Sequence, residues 1–425
     1  MAFDFPNTPT EGQKYTPVVG GPTYTYKAPV WELVTTAGIV ISDIPPAAPS
    51  PGATWWESDS GASYVYYDDG NTQQWVQTNS VGLADAPVDG SSYARRNAAW
   101  INVSTQLTAQ TRNRVVNGAM QISQENGDTA STTASGYYVA DQWVGYHTTT
   151  ATVTKQRAIS FTPNGSVYRI RQTITAADAA LAATDICTLR TIMEGVRVSD
   201  LKYGGATARQ SVLRFGFKGP AGVYSFRLMN EAADRAYVQN FTISAGQANT
   251  DTEQVFTILP CTTGAWNVLT GIGLYLDIVF AAGTNFHGTS GVWNNAAVLG
   301  TASNTNGLAT AGAVYELFDV GLYLDPANTG MPPRWETPDE AEELIACKRY
   351  WERSYTNIFS TVPAAGVNGI ATWQWKTIKR VIPVISAGPG SLWSLIVDTG
   401  IDAVSASRNG AQTLIASGTV ANARM

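Results

Sequence analysis

The chain has 425 residues, enough for two or three domains that each bury a core, and 44% hydrophobic residues mark it as globular. Only 14% of its residues are charged and the formal net charge is −6, which excludes a broad phosphate-binding surface and with it a nucleic-acid partner. The 39 Gly, 13 Trp and 19 Tyr favour strands joined by tight turns, with solvated faces of hydroxyls and amides that suit large assemblies.

The opening MAFDFPNTPTEGQ has neither a basic nor an apolar signal region, so no secretory leader is expected. No apolar run is long enough to cross a bilayer. The best, GIGLYLDIVFAAG, is interrupted by Asp277, so membrane insertion is not expected and folding is assigned to a cytoplasm.

Residues 1–103 read as repeated β-hairpin modules. The first has a Pro-rich entry, Gly12, Tyr24, Tyr26 and Trp31. The second, PPAAPSPGATWWESDSGASYVYYDDGNTQQWVQ, repeats this with Gly52, Trp55, Tyr64, Tyr66 and Trp75, and Asp69-Gly70 supplies its hairpin turn. The third is shorter, with Gly90, Tyr93 and Trp100. Units this thin do not bury a core alone. Their aromatics either fill small module cores or dock on a neighbour, for which Tyr and Trp are favoured anchors.

The Pro-Gly entry, the Y-x-Y and the closing Trp, together with DGSSYARRNAAWINV, resemble modules near the N-terminus of bacteriophage tail-fibre and other virion fibre proteins. That resemblance implies that Tyr24, Tyr26, Trp31, Trp55, Tyr64, Tyr66, Trp75, Tyr93 and Trp100 serve attachment and assembly. After the connector STQLTAQTRN, a second phage-fibre signature follows: Asn117, Gly118, Met120 and Gln124, then Tyr138, Ala140, Asp141 and Trp143. In that family it opens a β-sandwich like those of carbohydrate-binding modules.

Residue alternation agrees with a central antiparallel, jelly-roll-like sandwich over 111–335. Ser211, Leu213, Phe215 and Phe217 share one parity, as do Tyr224, Phe226 and Leu228, and Tyr237, Phe241 and Ile243. Ile272, Leu274, Leu276, Ile278 and Phe280 follow, then Val314, Phe318, Val320, Leu322 and Leu324. No amphipathic helices intervene, which argues against a parallel α/β sheet.

One helix is expected within 336–354, with Thr337 as N-cap, Pro338 at its first position and Glu340 completing a capping box. Leu344, Ile345, Cys347 and Trp351 would form its packing face. Residues 355–425 read as a small C-terminal β domain, in which KRVIPVI, with Arg380 and Pro383, resembles another fibre strand. The predicted fold class is therefore mainly β.

Little here points to catalysis, a metal or a cofactor. Asp339, Glu340, Glu342 and Glu343 match a helix dipole better than a glycosidase acid pair. Glu57, Asp59, Asp68 and Asp69 lack EF-hand spacing. Cys187, Cys261 and Cys347 lie far apart and read as buried thiols, and His147 and His287 have no metal-ligand partner nearby in sequence. Trp266 and Trp293 lie in Gly/Asn-rich loops and are the candidates for sugar stacking, with His287 a further loop contact; capping of the sandwich is the rival reading for both indoles, and a plain surface histidine for His287. The sequence thus points to a homotrimeric fibre subunit of a virion, bound to other virion proteins and contacting host-surface polysaccharide. A head, neck or collar fibre without receptor binding and a glycan-depolymerising tailspike are the alternatives.

Overall fold

Strand-forming residues punctuated by Gly and Asn turns give a mainly β chain with one helix longer than a single turn among the described residues. The computed structural model describes residues 4–17, 23–34, 38–79, 86–89, 93–96, 99–102, 111–353, 358–360, 368–386, 395–399, 403–409, 414–416 and 420–425. It divides into two units, 1–90 and 91–425.

In the first unit β1 (Lys14–Tyr15), β2 (Tyr24–Lys27) and β3 (Val30–Leu33) form one sheet. A second contains β4 (Val40–Ser42), β5 (Thr54–Glu57), β6 (Ser63–Asp68) and β7 (Gln73–Gln77). The repeat is structural as well as sequential. Gly12 and Gly52 both take φ above +80°, where only Gly is unstrained, and each donates its N–H to the carbonyl of Tyr26 or Tyr66 at 2.9 and 2.8 Å. Tyr26 pairs with Trp31 as Tyr66 pairs with Trp75. In the second hairpin turn, Asp69 Oδ1 accepts the N–H groups of Asn71 and Thr72 at 2.8 and 2.6 Å, which is turn chemistry and not cation binding.

In the second unit β8 (Tyr93–Arg96) and β9 (Ala99–Asn102) form a hairpin. The sandwich follows. Its seven-stranded sheet has the order β10-β11-β14-β19-β16-β17-β20, from Tyr137–Ala140, Trp143–His147, Ile186–Glu194, Ile272–Ala282, Gly222–Met229, Ala236–Ile243 and Val292–Asn294. Its five-stranded sheet has the order β12-β13-β21-β15-β18, from Thr152–Ile159, Tyr168–Ala176, Val314–Leu324, Ser211–Lys218 and Thr252–Ile258. Every pairing in both sheets is antiparallel. Phe215, Phe217, Phe226, Leu276, Ile278 and Leu317 are among the side chains buried between the sheets.

Two sequence expectations are corrected here. The parity of β21 changes phase midway: Tyr315 and Leu317 face the core, then Val320, Leu322 and Leu324 do so. Asp319, at φ 51°, and a register shift between Arg214 and Gly216 absorb the extra residue, a β-bulge. Phe318 therefore lies on the outer face, beneath the Arg169 guanidinium at 4.5 Å, and Val314 is likewise outside the core parity.

The helix spans Glu340–Lys348, and its N-cap is Asp339, whose Oδ1 accepts from Ala341 and Glu342 at 2.9 and 3.1 Å. Thr337 does not cap; its hydroxyl meets Ser166 at 3.1 Å. Ile345 is 58% exposed, and Trp351 belongs to β22 (Trp351–Arg353) instead of the helix. Cys347 packs with Tyr350, Val116 and Ile122, with Leu344 alongside. β22 pairs with β29 (Val420–Asn422), which also pairs with β25 (Val384–Ser386). β23 (Ile358–Ser360) pairs with β28 (Leu414–Ala416), and β24 (Asn368–Gln374), β27 (Ala403–Asn409) and β26 (Leu395–Thr399) form a three-stranded sheet.

Lys155 is fully buried, its stem over Gly145 and its Nζ donating to the carbonyl of Thr133 at 2.9 Å. Burial pushes its ammonium down to about 8. Between that value and its ordinary 10.5 the unfolded chain binds the extra proton, so stability rises with pH across this window. Lys155→Met removes about 3 kcal/mol of charge-burial cost at pH 7 and loses about 1 kcal/mol of hydrogen bonding. Urea unfolding should show a net gain of about 2 kcal/mol at pH 7 and a flatter pH dependence; an unchanged midpoint would contradict the charge argument.

Candidate functional site

In the second N-terminal module Trp55 is 4% exposed, stacks on Tyr64 at 4.8 Å and meets Trp75 edge-on at 5.6 Å, while Tyr66 and Trp75 lie 5.2 Å apart. The Trp55 indole N–H is fixed by the carbonyl and hydroxyl of Ser42, both at 3.0 Å. In the first module Phe5 stacks on Trp31 at 5.3 Å and meets Tyr24 edge-on, and Tyr26 lies against the same Trp31. The structure thus gathers the sequence-predicted aromatics of each module on one face. Tyr93 is half-buried and Trp100 exposed in the third hairpin. Strand parity places Ile41, Trp56, Tyr67 and Val76 on the opposite face of the second module, each 40% exposed or more. Ile41 and Val76 were not singled out from sequence, although their alternation with the inner set was available.

The residues from Asn117 to Trp143 that carry the second resemblance fold as a polar knot at the entry to the sandwich. Asn117, at φ 56°, donates its amide to the carbonyls of Ile122 and Asp141 at 2.8 and 2.9 Å and accepts the Ile122 N–H at 3.0 Å. Asp141 accepts the Gln124 N–H at 2.9 Å and its side-chain amide at 2.5 Å. The fully buried Trp143 donates its indole N–H to the Asn117 carbonyl at 2.9 Å. A Cβ on Gly118 would sit 2.1 Å from the carbonyl oxygen of Val320, so only Gly fits there. Glu343 joins the knot by accepting the Asn117 N–H, a role beyond dipole matching; burial raises its carboxyl above the usual range. The signature residues hold one another, and Asn117, Met120, Asp141 and Trp143 are buried.

Trp266 and Trp293 come together at the sandwich edge, 5.5 Å apart and nearly perpendicular. Tyr203 meets both edge-on, at 5.0 and 5.4 Å, and Tyr237 lies 5.4 Å from Trp293. Their indole N–H groups are taken by the carbonyls of Thr263 at 2.9 Å and Leu259 at 2.8 Å. Both rings stay half-buried, so a sugar would meet a ring face there and not an indole donor. His287 is anchored separately, with Nε2 3.0 Å from the Ala282 carbonyl and its backbone bridged to Gly300.

A cleft of about 820 Å³ is formed by β13, β21, the end of β15 and the segment 305–312. Its floor includes the buried Tyr224 and Tyr315, whose hydroxyls donate to the carbonyls of Pro220 and Gly307 at 3.1 and 2.7 Å; burial raises both phenols. Its wall carries Arg171, Lys218 and Glu316. Sequence reading missed this cleft, because its residues come from separate strands and were scored only for core parity.

Burial keeps the thiols and His147 of the described residues in their neutral forms near pH 7. No group of three or more His, Cys, Asp or Glu among them is placed to hold a metal ion. The thiols of Cys187, Cys261 and Cys347 are buried, and burial pushes the Cys187 thiol up to about 12. Burial beside Lys155 holds His147 down to about 4, hence neutral near pH 7. No described helix is long and apolar enough to cross a membrane.

No protein-family model matches the sequence, and no curated protein matches it. Solved structures do align with part of it. An arabinose-bound MgGH51 α-L-arabinofuranosidase aligns at TM-score 0.29 and 10% identity, over 50% of this chain and 26% of its own. The enzymatically active domain of bacteriophage CBA120 tailspike protein 4 aligns at 0.26 and 13%, over 50% of this chain and 21% of its own. A CBM4 structure aligns at 0.25 and 11%, over 50% of this chain and 99% of its own. The chain thus spans about a quarter or less of the first two proteins. The sandwich assignment itself rests on the strand pairing above.

Proposed function

We propose that this chain is a fibre subunit of a bacteriophage particle, non-enzymatic and homotrimeric, with a virion location after assembly in the host bacterial cytoplasm. Its N-terminal modules attach it to other virion proteins, and its sandwich contacts host-surface polysaccharide. The observation that most supports this reading is the pair of aromatic modules built on one hydrogen-bond framework ahead of a β-sandwich. Each module packs its inner aromatics together, yet the second leaves Ile41, Trp56, Tyr67 and Val76 open to solvent, the kind of surface that a partner covers. The sandwich adds a polar cleft within the size range of ligand sites.

The test combines light scattering of the full chain, immunogold labelling of virus particles and binding to a glycan array. The expected result is a trimer, label on a particle appendage and retention of at least one bacterial glycan. Label at a collar with no glycan retained would favour the purely structural fibre. Absence of label from particles would sink the virion reading, and release of reducing ends from a polysaccharide would sink the non-enzymatic one.

A further inference from the structure

The charges at the cleft do not balance. The Glu316 carboxylate is 1% exposed and is shared by three cations: Arg171 at 2.7 Å, Arg169 at 2.9 Å and Lys218 at 3.6 Å. Arg169 is also bound by Asp251, at 2.8 and 3.1 Å. Three positive groups therefore face two carboxylates, in a chain whose formal net charge is −6. The surplus sits on the cleft side. Lys218 and Arg171 line the cleft with side chains 35% and 37% exposed, and the distance from Lys218 to Glu316 is too long for a hydrogen bond. The ammonium thus keeps its three donors for another acceptor. Among the described residues, Glu316 alone of the acids lines the cleft.

The remaining lining is suited to sugar hydroxyls. Thr173, Thr310 and Asn249 bring two hydroxyls and an amide to the wall. Tyr224 and Tyr315 are buried under the floor, so neither offers a ring face for stacking. Recognition here must come from hydrogen bonds and charge, and a charged donor contributes about twice what a neutral one does. We infer that the cleft binds a carboxylated saccharide, its carboxylate received by Lys218 and Arg171 and its hydroxyls by the Thr and Asn side chains. This rests on the glycan-binding reading above and names its ligand class. One surplus charge matches an isolated carboxylate; a polyphosphate chain would need a row of cations, and among the described residues only Arg171 and Lys218 line the cleft with positive charge.

The full chain is titrated calorimetrically with oligosaccharides of galacturonate, glucuronate and mannuronate, each beside its carboxyl-reduced neutral form. At least one acidic member should bind, with its neutral form about ten-fold weaker. Lys218→Gln should weaken the acidic ligand about ten-fold, and Ala311→Glu, on the exposed rim, should weaken it through like-charge repulsion while both variants keep the wild-type melting curve. Equal binding of acidic and neutral forms, or unchanged binding by both variants, would overturn the inference and leave glycan binding standing. Failure of every acidic member while a neutral glycan binds would do the same; failure of every glycan would remove both.

Discussion

Replacing Trp143 with Ala is expected to lower the unfolding free energy of the sandwich by about 3–5 kcal/mol. The side chain is fully buried and its indole N–H donates to the Asn117 carbonyl at 2.9 Å, so the substitution opens a cavity and orphans an acceptor together. Trp143→Phe should cost less, because ring volume is largely kept while the hydrogen bond is lost. Asn117→Ala removes three further bonds from the same knot, so the double variant should lose less than the two single losses added. Urea unfolding of wild type, Trp143→Ala, Asn117→Ala and their double variant gives the cycle. A loss under 1 kcal/mol for Trp143→Ala, or strict additivity, would show that the signature is not the fastening described here.

A similar loss, about 3–5 kcal/mol, is expected for Asp277→Ala. Asp277 is fully buried on β19 and accepts from Arg190 Nε at 2.7 Å and from Arg227 Nε and Nη2 at 3.0 and 2.6 Å. Arg227 is itself buried, so removing the carboxylate strands a cation away from water. Burial pushes the Asp277 carboxyl up, but Arg227 and Arg190 outweigh it and hold the group below its usual range. Its contribution is therefore complete above the ordinary carboxylate pKa and lost only as pH falls through the lower folded value. The double variant Asp277→Leu with Arg227→Met should recover much of the loss, since a packed apolar pair replaces a stranded charge. Acid unfolding of wild type and single variant, with urea midpoints for all three, tests this. Equal stability of Asp277→Ala and wild type at pH 7 would refute it.

The fold was legible where one parity is apolar throughout. Gly222–Met229 and Ile272–Ala282 alternate cleanly, and both lie in the seven-stranded sheet. β12, β13 and β14 were not read as strands. Lys155, Arg169 and Gln172 are buried in them, and polar residues at buried positions erase the alternation that a sequence reader needs. The phase change at Asp319 was hidden for another reason: a bulge adds a residue without changing composition. Of the site, the meeting of Trp266 and Trp293 could be guessed only as loop composition, because contact between positions so far apart depends on which strands pair. Arg171, Lys218 and Glu316 sit in three strands, and their shared wall exists only once β13, β21 and β15 lie side by side.

The matched bonding of the two N-terminal modules bears on how the number of modules could change. Gly12 and Gly52, Tyr24 and Tyr64, and Tyr26 and Tyr66 are separated by the same interval, and Gly12 and Gly52 close onto Tyr26 and Tyr66 in the same way. An unequal crossover between two gene copies at Gly12 and Gly52 would insert or delete one whole module, with each new junction Gly meeting the equivalent Tyr carbonyl. The number of modules could then be altered by recombination alone, with no residue of the sandwich changed.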